Sequence, residues 1–226
     1  DRTIERVEAW LGDVDRSEPQ FLWVHFIDPH TPDNCPEPFP QTYAGEVEFV
    51  DTMVGRLIDG WDARFGASDT LAVVTADHGE HLNDHGVERG HGTLWLSNLR
   101  IPLLIRWPGV IDAGSVVGEL TRQIDVMPTV LDYRGLPMPY NVQGMSLRGL
   151  IEGDDAGLRL VHQGQAVHDG ADTVTVRTED HTFFFEERKL VHVFDRNADP
   201  QEDADLWQEG AARQSVAHSE RDGGER

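Results

Sequence analysis

Four histidines fall within fifteen residues, at His78, His81, His85 and His91, interleaved with Asp77, Glu80, Asp84 and Glu88. Imidazole nitrogen beside carboxylate oxygen is a donor set for a divalent cation such as zinc, manganese or calcium, with histidine the less usual ligand for calcium. Asp77-His78-Gly79 follows directly on an apolar run, and so does Asp28-Pro29-His30. Neighbouring acid and imidazole just past a strand can face one cation, because the backbone turns there. Any single histidine of the set reads as a solvated loop residue, and His81 and His85 are expected to be that. Spacing alone therefore points to a metal site and names no reaction. The one cysteine, Cys35, lies between Asn34 and Pro36, which excludes an intrachain disulfide and a cysteine zinc site and suits a passive thiol.

These residues need elements to position them. Ile4, Val7, Trp10 and Leu11 share one helical face within residues 1–19. The near-continuous apolar run 20–27 reads as a strand buried on both sides of a sheet. Five prolines between Asp28 and Gln41 make the next stretch an irregular loop. Val47, Val50, Met53, Val54, Leu57, Ile58 and Trp61 then recur every three or four residues, so a helix is predicted from Tyr43 to Phe65, ended by Gly66. Residues 69–76 read as a second buried strand, ending at Asp77, and a polar, glycine-rich loop follows to about Thr93. Ile101 to Arg106 forms a third strand, with Pro102 near its start, and Ile124 to Tyr133 a short helix. Short β-prone runs at 174–178, 181–185 and 190–194 suggest antiparallel hairpins. The tail from about residue 208 lacks apolar periodicity and reads as frayed. In open α/β sheets ligands collect at the carboxyl ends of strands, which is where both acid–histidine pairs stand.

Composition narrows the partners. Among the 226 residues 41 are acidic and 19 basic, a formal charge of −22. Such a chain does not hold a polyanion by general electrostatics, so nucleic acid is not an expected partner. Lys189 is the single lysine, the other 18 basic residues being arginine. An acid excess almost without lysine resembles the solvation strategy of proteins in high salt; an arginine-rich genome is the plainer alternative. No apolar stretch reaches the roughly 18 residues of a membrane helix. No secretory segment is visible, which leaves localisation, cytoplasmic or exported, open.

The wording of the chain adds a resemblance. Phe21 to Pro32 resembles the "FLYVHFxDPHxPY" segment of the sulfatase family, within the alkaline phosphatase superfamily. Thr75 to Gly86 resembles its "TADHGExLxDHG", Leu99 to Gly109 its "xRVPLIIRxPG", and Gln123 to Leu131 its "xxDVxPTLL". Val176 to Asp180 and Phe194 to Pro200 resemble "xRTxxYK" and "YDLxxDPxE". The matches run in family order over about residues 20–206.

That resemblance implies the C-terminal part of an alkaline-phosphatase-like α/β sandwich, a central mixed sheet with flanking helices over residues 1–154. A small antiparallel subdomain with a frayed tail is expected over 155–226. It also implies cleavage of sulfate or phosphate esters of small molecules or glycans, through a formylglycine nucleophile assisted by a divalent cation. Calcium is the family's usual ion, with manganese or zinc as alternatives. Residue by residue, Asp77 and His78 match the family's cation ligands, His30 the histidine contacting substrate or leaving group, and His91 the cationic residue on the sulfuryl oxygens. His91 replaces a family lysine, and a histidine there also resembles phosphodiester-cleaving, phosphonate-cleaving and phosphoethanolamine-transferring relatives. Cys35-Pro36-Glu37-Pro38 is not the C/S-x-P-x-R nucleophile motif, so the formylglycine is expected in an N-terminal part, and this chain reads as a fragment, with an inactive truncated homologue as the third possibility. The oligomeric state is left open.

Overall fold

A computed structural model of the chain describes residues 2–154, 162–168 and 171–209. They run through α1 (Arg2–Asp13), α2 (Tyr43–Phe65), β1 (Ala72–Thr75), β2 (His81–Asp84), β3 (Val87–Gly90), α3 (Leu96–Leu99) and β4 (Leu103–Arg106). There follow α4 (Val126–Tyr133), α5 (Arg148–Glu152), β5 (His162–His168), β6 (Ala171–Arg177), β7 (His181–Glu186), β8 (Lys189–Asp195) and α6 (Leu206–Glu209). Two compact units result, one of residues 1–73 and 105–113, the other of residues 74–104 and 114–226. The mixed α/β content with small antiparallel sheets agrees with the expected fold class.

In the first unit α1 buries Ile4, Val7 and Leu11, the face its spacing predicts. The Thr42 hydroxyl caps α2 by accepting from the Gly45 N–H at 3.1 Å, and Gly66 ends the helix at a φ of 93°, where a side chain would be strained. Ile4, Cys35, Phe49 and Met53 form the core of this unit, with Phe26, Phe39, Val50 and Leu57 packed on it. One expectation fails here. Residues 20–27 form no strand, and no sheet pairing holds them among the described residues. Phe21, Trp23 and Ile27 are 83%, 81% and 70% exposed, whereas Leu22, Val24 and Phe26 are partly covered. The period of two persists, but only one face has a neighbour: an apolar run says that burial is sought, not which segment supplies it.

In the second unit the polar stretch after Asp77 is not a plain loop. β2 and β3 pair as an antiparallel hairpin with Asp84 opposite Val87. The two turn residues, His85 and Gly86, have φ of 51° and 76°, the positive values a two-residue hairpin turn demands. The later β-prone runs become β6, β7 and β8, and β5 joins them to make a four-stranded antiparallel sheet in sequence order. Its inward face supplies Phe184 and Phe194, which pack with Leu94, Trp95, Leu99 and Val191. The strands expected at 69–76 and 101–106 are the shorter β1 and β4, which pair with each other. α6 extends to Glu209, and the tail expected to fray lies otherwise outside the described residues.

Candidate active site

Just beyond β1 the chain is pressed against α3. The Gly79 N–H donates to the Asn98 carbonyl at 2.7 Å, and a Cβ on Gly79 would stand 2.0 Å from the Ser97 carbonyl oxygen. Gln123 Nε2 donates to the Ala76 carbonyl at 3.0 Å. With its backbone held on both sides, the turn throws Asp77 and His78 outward, their side chains 71% and 40% exposed. His78 Nδ1 lies 2.8 Å from the Gly79 carbonyl. A carbonyl only accepts, so Nδ1 carries the hydrogen and Nε2 keeps its lone pair. That Nε2 stands 3.7 Å from Asp77 Oδ2, so one carboxylate oxygen and one imidazole nitrogen converge with the backbone fixing the tautomer. Two such donors fit a divalent cation as part of its shell; among the described residues no group of three or more His, Cys, Asp or Glu does so.

His91 joins them. Its ring centroid lies 4.1 Å from that of His78, with 41° between the planes. It sits between Gly90 and Gly92, both at positive φ. Three of the four expected site residues thus gather in the second unit. His30 belongs to the first unit and is exposed. Its Nδ1 lies 2.6 Å from the Thr31 carbonyl, which again puts the hydrogen on Nδ1 and the basic lone pair on Nε2. Cys35 is buried, and its thiol donates to the Pro40 carbonyl at 2.9 Å. Burial pushes this thiol's pKa up, which suits a passive group.

His81 and His85 are not the solvated residues their setting suggests. His81 has no exposed surface. Its Nδ1 lies 2.9 Å from Asp84 Oδ2 and 3.1 Å from Ser97 Oγ, and its Nε2 2.7 Å from Thr93 Oγ1. Thr93 in turn donates from its backbone N–H to Asn98 Oδ1 at 3.0 Å. This network ties the hairpin to the segment that carries His91. Burial pushes the Asp84 carboxyl up, but the Ser97 hydroxyl, the Leu82 N–H and His81 outweigh it and hold the pKa at about 2. His85 stacks on Trp95 at 4.0 Å with 4° between planes, and its Nε2 lies 3.1 Å from the Gln201 carbonyl.

Two further groups escaped the sequence reading. Arg177 and Glu202 form an ion pair at 2.9 Å, with side chains 3% and 2% exposed. Arg177 also donates to the Leu94 carbonyl at 2.9 Å, and Glu202 accepts from the Leu96 N–H at 2.9 Å, so the pair fastens the segment following His91 to the sheet. Glu46 lies fully buried on α2 and accepts the His30 N–H at 3.0 Å. Its signal was an acid on the apolar face of a helix, in line with Phe49, Val50 and Met53.

Known proteins resemble this chain in sequence and fold. Residues 1–136 match the family Sulfatase, and residues 92–221 match the family N-sulphoglucosamine sulphohydrolase, C-terminal. Steryl-sulfatase of Mus musculus is 33% identical over 158 residues, 62% of this chain and 25% of that protein. N-acetylglucosamine-6-O-sulfatase of Bacteroides thetaiotaomicron is 28% identical over 181 residues, 73% of this chain and 31% of that protein. Among solved structures, a protein in complex with its substrate D-glucosamine-2-N,6-O-disulfate superposes with a TM-score of 0.68 at 27% identity, over 78% of this chain and 38% of its own. Phosphonate monoester hydrolase of Silicibacter pomeroyi does so with a TM-score of 0.70 at 29% identity, over 80% and 39%. The chain therefore spans about a quarter to a third of the length of these curated relatives. With an acid–histidine pair and a second imidazole where the family's segments fall, and the family matched over more than half its length, the chain belongs to the sulfatases of the alkaline phosphatase superfamily.

Proposed function

We propose that these residues are the metal- and substrate-binding segments of a metal-dependent sulfuric ester hydrolase whose nucleophile comes from outside the 226 residues. The convergence of Asp77 and His78 beside His91, in a chain of this family, carries the reading. Metal dependence is general in the sulfatase family, and calcium, with manganese or zinc as alternatives, is the ion proposed. Asp77 would supply an anionic oxygen and His78 its Nε2, the Nδ1–H being committed to Gly79. A cation held there would polarise the ester oxygens and offset their charge. His91 offers a ring N–H donor to the sulfuryl oxygens, strongest when the imidazole is protonated. His30, once protonated at Nε2 as well, is the proton donor to the departing alkoxide, whose unassisted expulsion is costly, and returns to the Nδ1–H form when it has given that proton up. The α/β part up to residue 154 carries all four groups in this reading, and the part from 155 on is a C-terminal appendage. The substrate class is a sulfated small molecule or sugar ester.

A second reading has its own support: the phosphonate monoester hydrolase superposes as well as the disulfate-bound structure above, and His91 stands where the resemblance has lysine. Turnover of nitrophenyl sulfate, bis-nitrophenyl phosphate and a nitrophenyl phosphonate by the metal-loaded full-length enzyme separates the two. Sulfate is expected to be the best substrate. A phosphonate or phosphodiester preference transfers the assignment to the second reading, and no turnover of any ester defeats both.

A further inference from the structure

One carboxylate in the first unit is buried without a part in the chemistry above. Glu46 occupies the first turn of α2 and is 0% exposed. Both of its oxygens are taken by main chain of the preceding loop: Oε2 accepts from the His30 N–H at 3.0 Å, and Oε1 from the Asn34 N–H at 2.7 Å. Cys35 and Phe39 anchor the later half of that loop in the core, and its start is short of backbone partners. Its five prolines lack an N–H, and it belongs to no sheet. A charged acceptor makes stronger hydrogen bonds to backbone N–H than a neutral one, and the first turn of a helix favours an anion. The next residue back closes the far side of the loop: a Cβ on Gly45 would stand 1.9 Å from the Pro40 carbonyl oxygen, so the returning chain lies directly on the helix. Gln41 Nε2 adds a bond to the Cys35 carbonyl at 2.6 Å.

We infer that Glu46 is a positioning residue for His30, a buried anionic clamp that fixes the backbone of the loop at residues 30 and 34 so that the imidazole is presented in one orientation. The clamp sets where the ring stands; the Thr31 carbonyl, by binding Nδ1, sets which nitrogen faces the substrate. The consequence for catalysis rests on the role proposed for His30 above. The clamp itself does not.

Two measurements on the full-length, metal-loaded enzyme test it, with Glu46→Ala and the milder Glu46→Gln, which keeps one acceptor oxygen. In hydrogen exchange, Glu46→Ala is expected to speed exchange across residues 30–35 by about tenfold or more while the amides of α2 keep their protection, with Glu46→Gln intermediate. In kinetics, Glu46→Ala is expected to lower kcat about tenfold for esters with poor leaving groups, to lower it less for nitrophenyl esters, and to leave KM and metal content close to wild type. Unchanged exchange at 30–35, or exchange that rises equally along α2, overturns the clamp. Equal losses for activated and unactivated esters overturn its link to proton donation. If His30→Ala itself shows no dependence on the leaving group, the reading of His30 falls, and the exchange data alone then decide the clamp.

Discussion

At the scale of single residues, the same side chain takes opposite roles within a few positions. His78 is turned outward with its Nε2 toward Asp77, whereas His81 is enclosed by Asp84, Ser97 and Thr93. Asp77→Ala removes the anionic donor and is expected to abolish metal binding by the full-length enzyme, read as metal retained after gel filtration. His30→Ala should leave the metal in place. The isolated 226-residue chain, with two donors, should show feeble affinity and no turnover, because the rest of the coordination shell supplies much of the charge. His81→Ala belongs to another category. It empties a fully buried position and takes the partner from the half-buried Asp84 carboxylate and the Thr93 hydroxyl, so a loss of about 1–3 kcal/mol is expected in urea unfolding. A change under about 0.5 kcal/mol would mean that the network is not formed. Asp84 extends the test to pH. Its folded pKa of about 2 lies below the ordinary 3.8, so its contribution is fully present above about pH 4 and is lost as pH falls through 2. The stability gap between wild type and Asp84→Asn should close over that interval.

At the scale of elements, Gly79, directly after the candidate ligands, holds the turn beyond β1 against α3. A methyl group 2.0 Å from the Ser97 carbonyl cannot be absorbed by a side-chain rotation, since the obstacle is backbone. Gly79→Ala is therefore expected to push the 77–79 turn away from α3, weaken metal binding of the full-length enzyme at least tenfold and cost about 2 kcal/mol or more. Wild-type metal affinity in that variant would contradict the packing. Several elements were legible in the sequence: α1 and α2 follow from 3.6-residue spacing, and α4 and the strands β6 to β8 from a short apolar run and β-prone runs between turns. The apolar run 20–27 carried the same kind of signal, yet a strand requires a partner that spacing does not name. The hairpin of β2 and β3 was hidden for the reverse reason. Its inward residue is the polar His81 while Leu82 is 53% exposed, so alternation of hydrophobicity points the wrong way. Asp77, His78 and His91 were legible through their place after a strand and through family wording. Glu46, Arg177 and Glu202 were not, because what makes them matter is the set of carbonyls and N–H groups they meet across the chain.

At the scale of the whole molecule, 41 acidic residues face 19 basic ones, so basic partners are too few to pair with every acid. Arg106 forks onto Asp62 at 2.6 and 3.2 Å, Arg122 reaches Asp125 at 2.9 Å, and Arg177 meets Glu202. A net charge of −22 on a chain this size leaves carboxylates repelling one another over distances of one to two nanometres. Salt acts on that range. The screening length is about 10 Å at 0.1 M and about 3 Å at 1 M, so long-range repulsion is largely removed by molar salt while contacts such as Arg177–Glu202, shielded from solvent, are weakened far less. The folded state, being compact, concentrates the charge and gains more from screening than the unfolded chain does. The melting temperature at pH 7 is therefore expected to rise by several degrees between 0.1 and 2 M KCl, a salt chosen for its weak specific effects. The same titration at pH 4 separates repulsion from other salt effects. Near that pH many exposed carboxylates are protonated, the net negative charge is smaller, and the gain from KCl should shrink with it. A melting temperature that is flat or falls with KCl at pH 7 would show that the acidic surface is not strained by its own charge. An equal rise at both pH values would assign the stabilisation to salt exclusion from apolar surface, of which exposed Phe21, Trp23 and Ile27 offer a share.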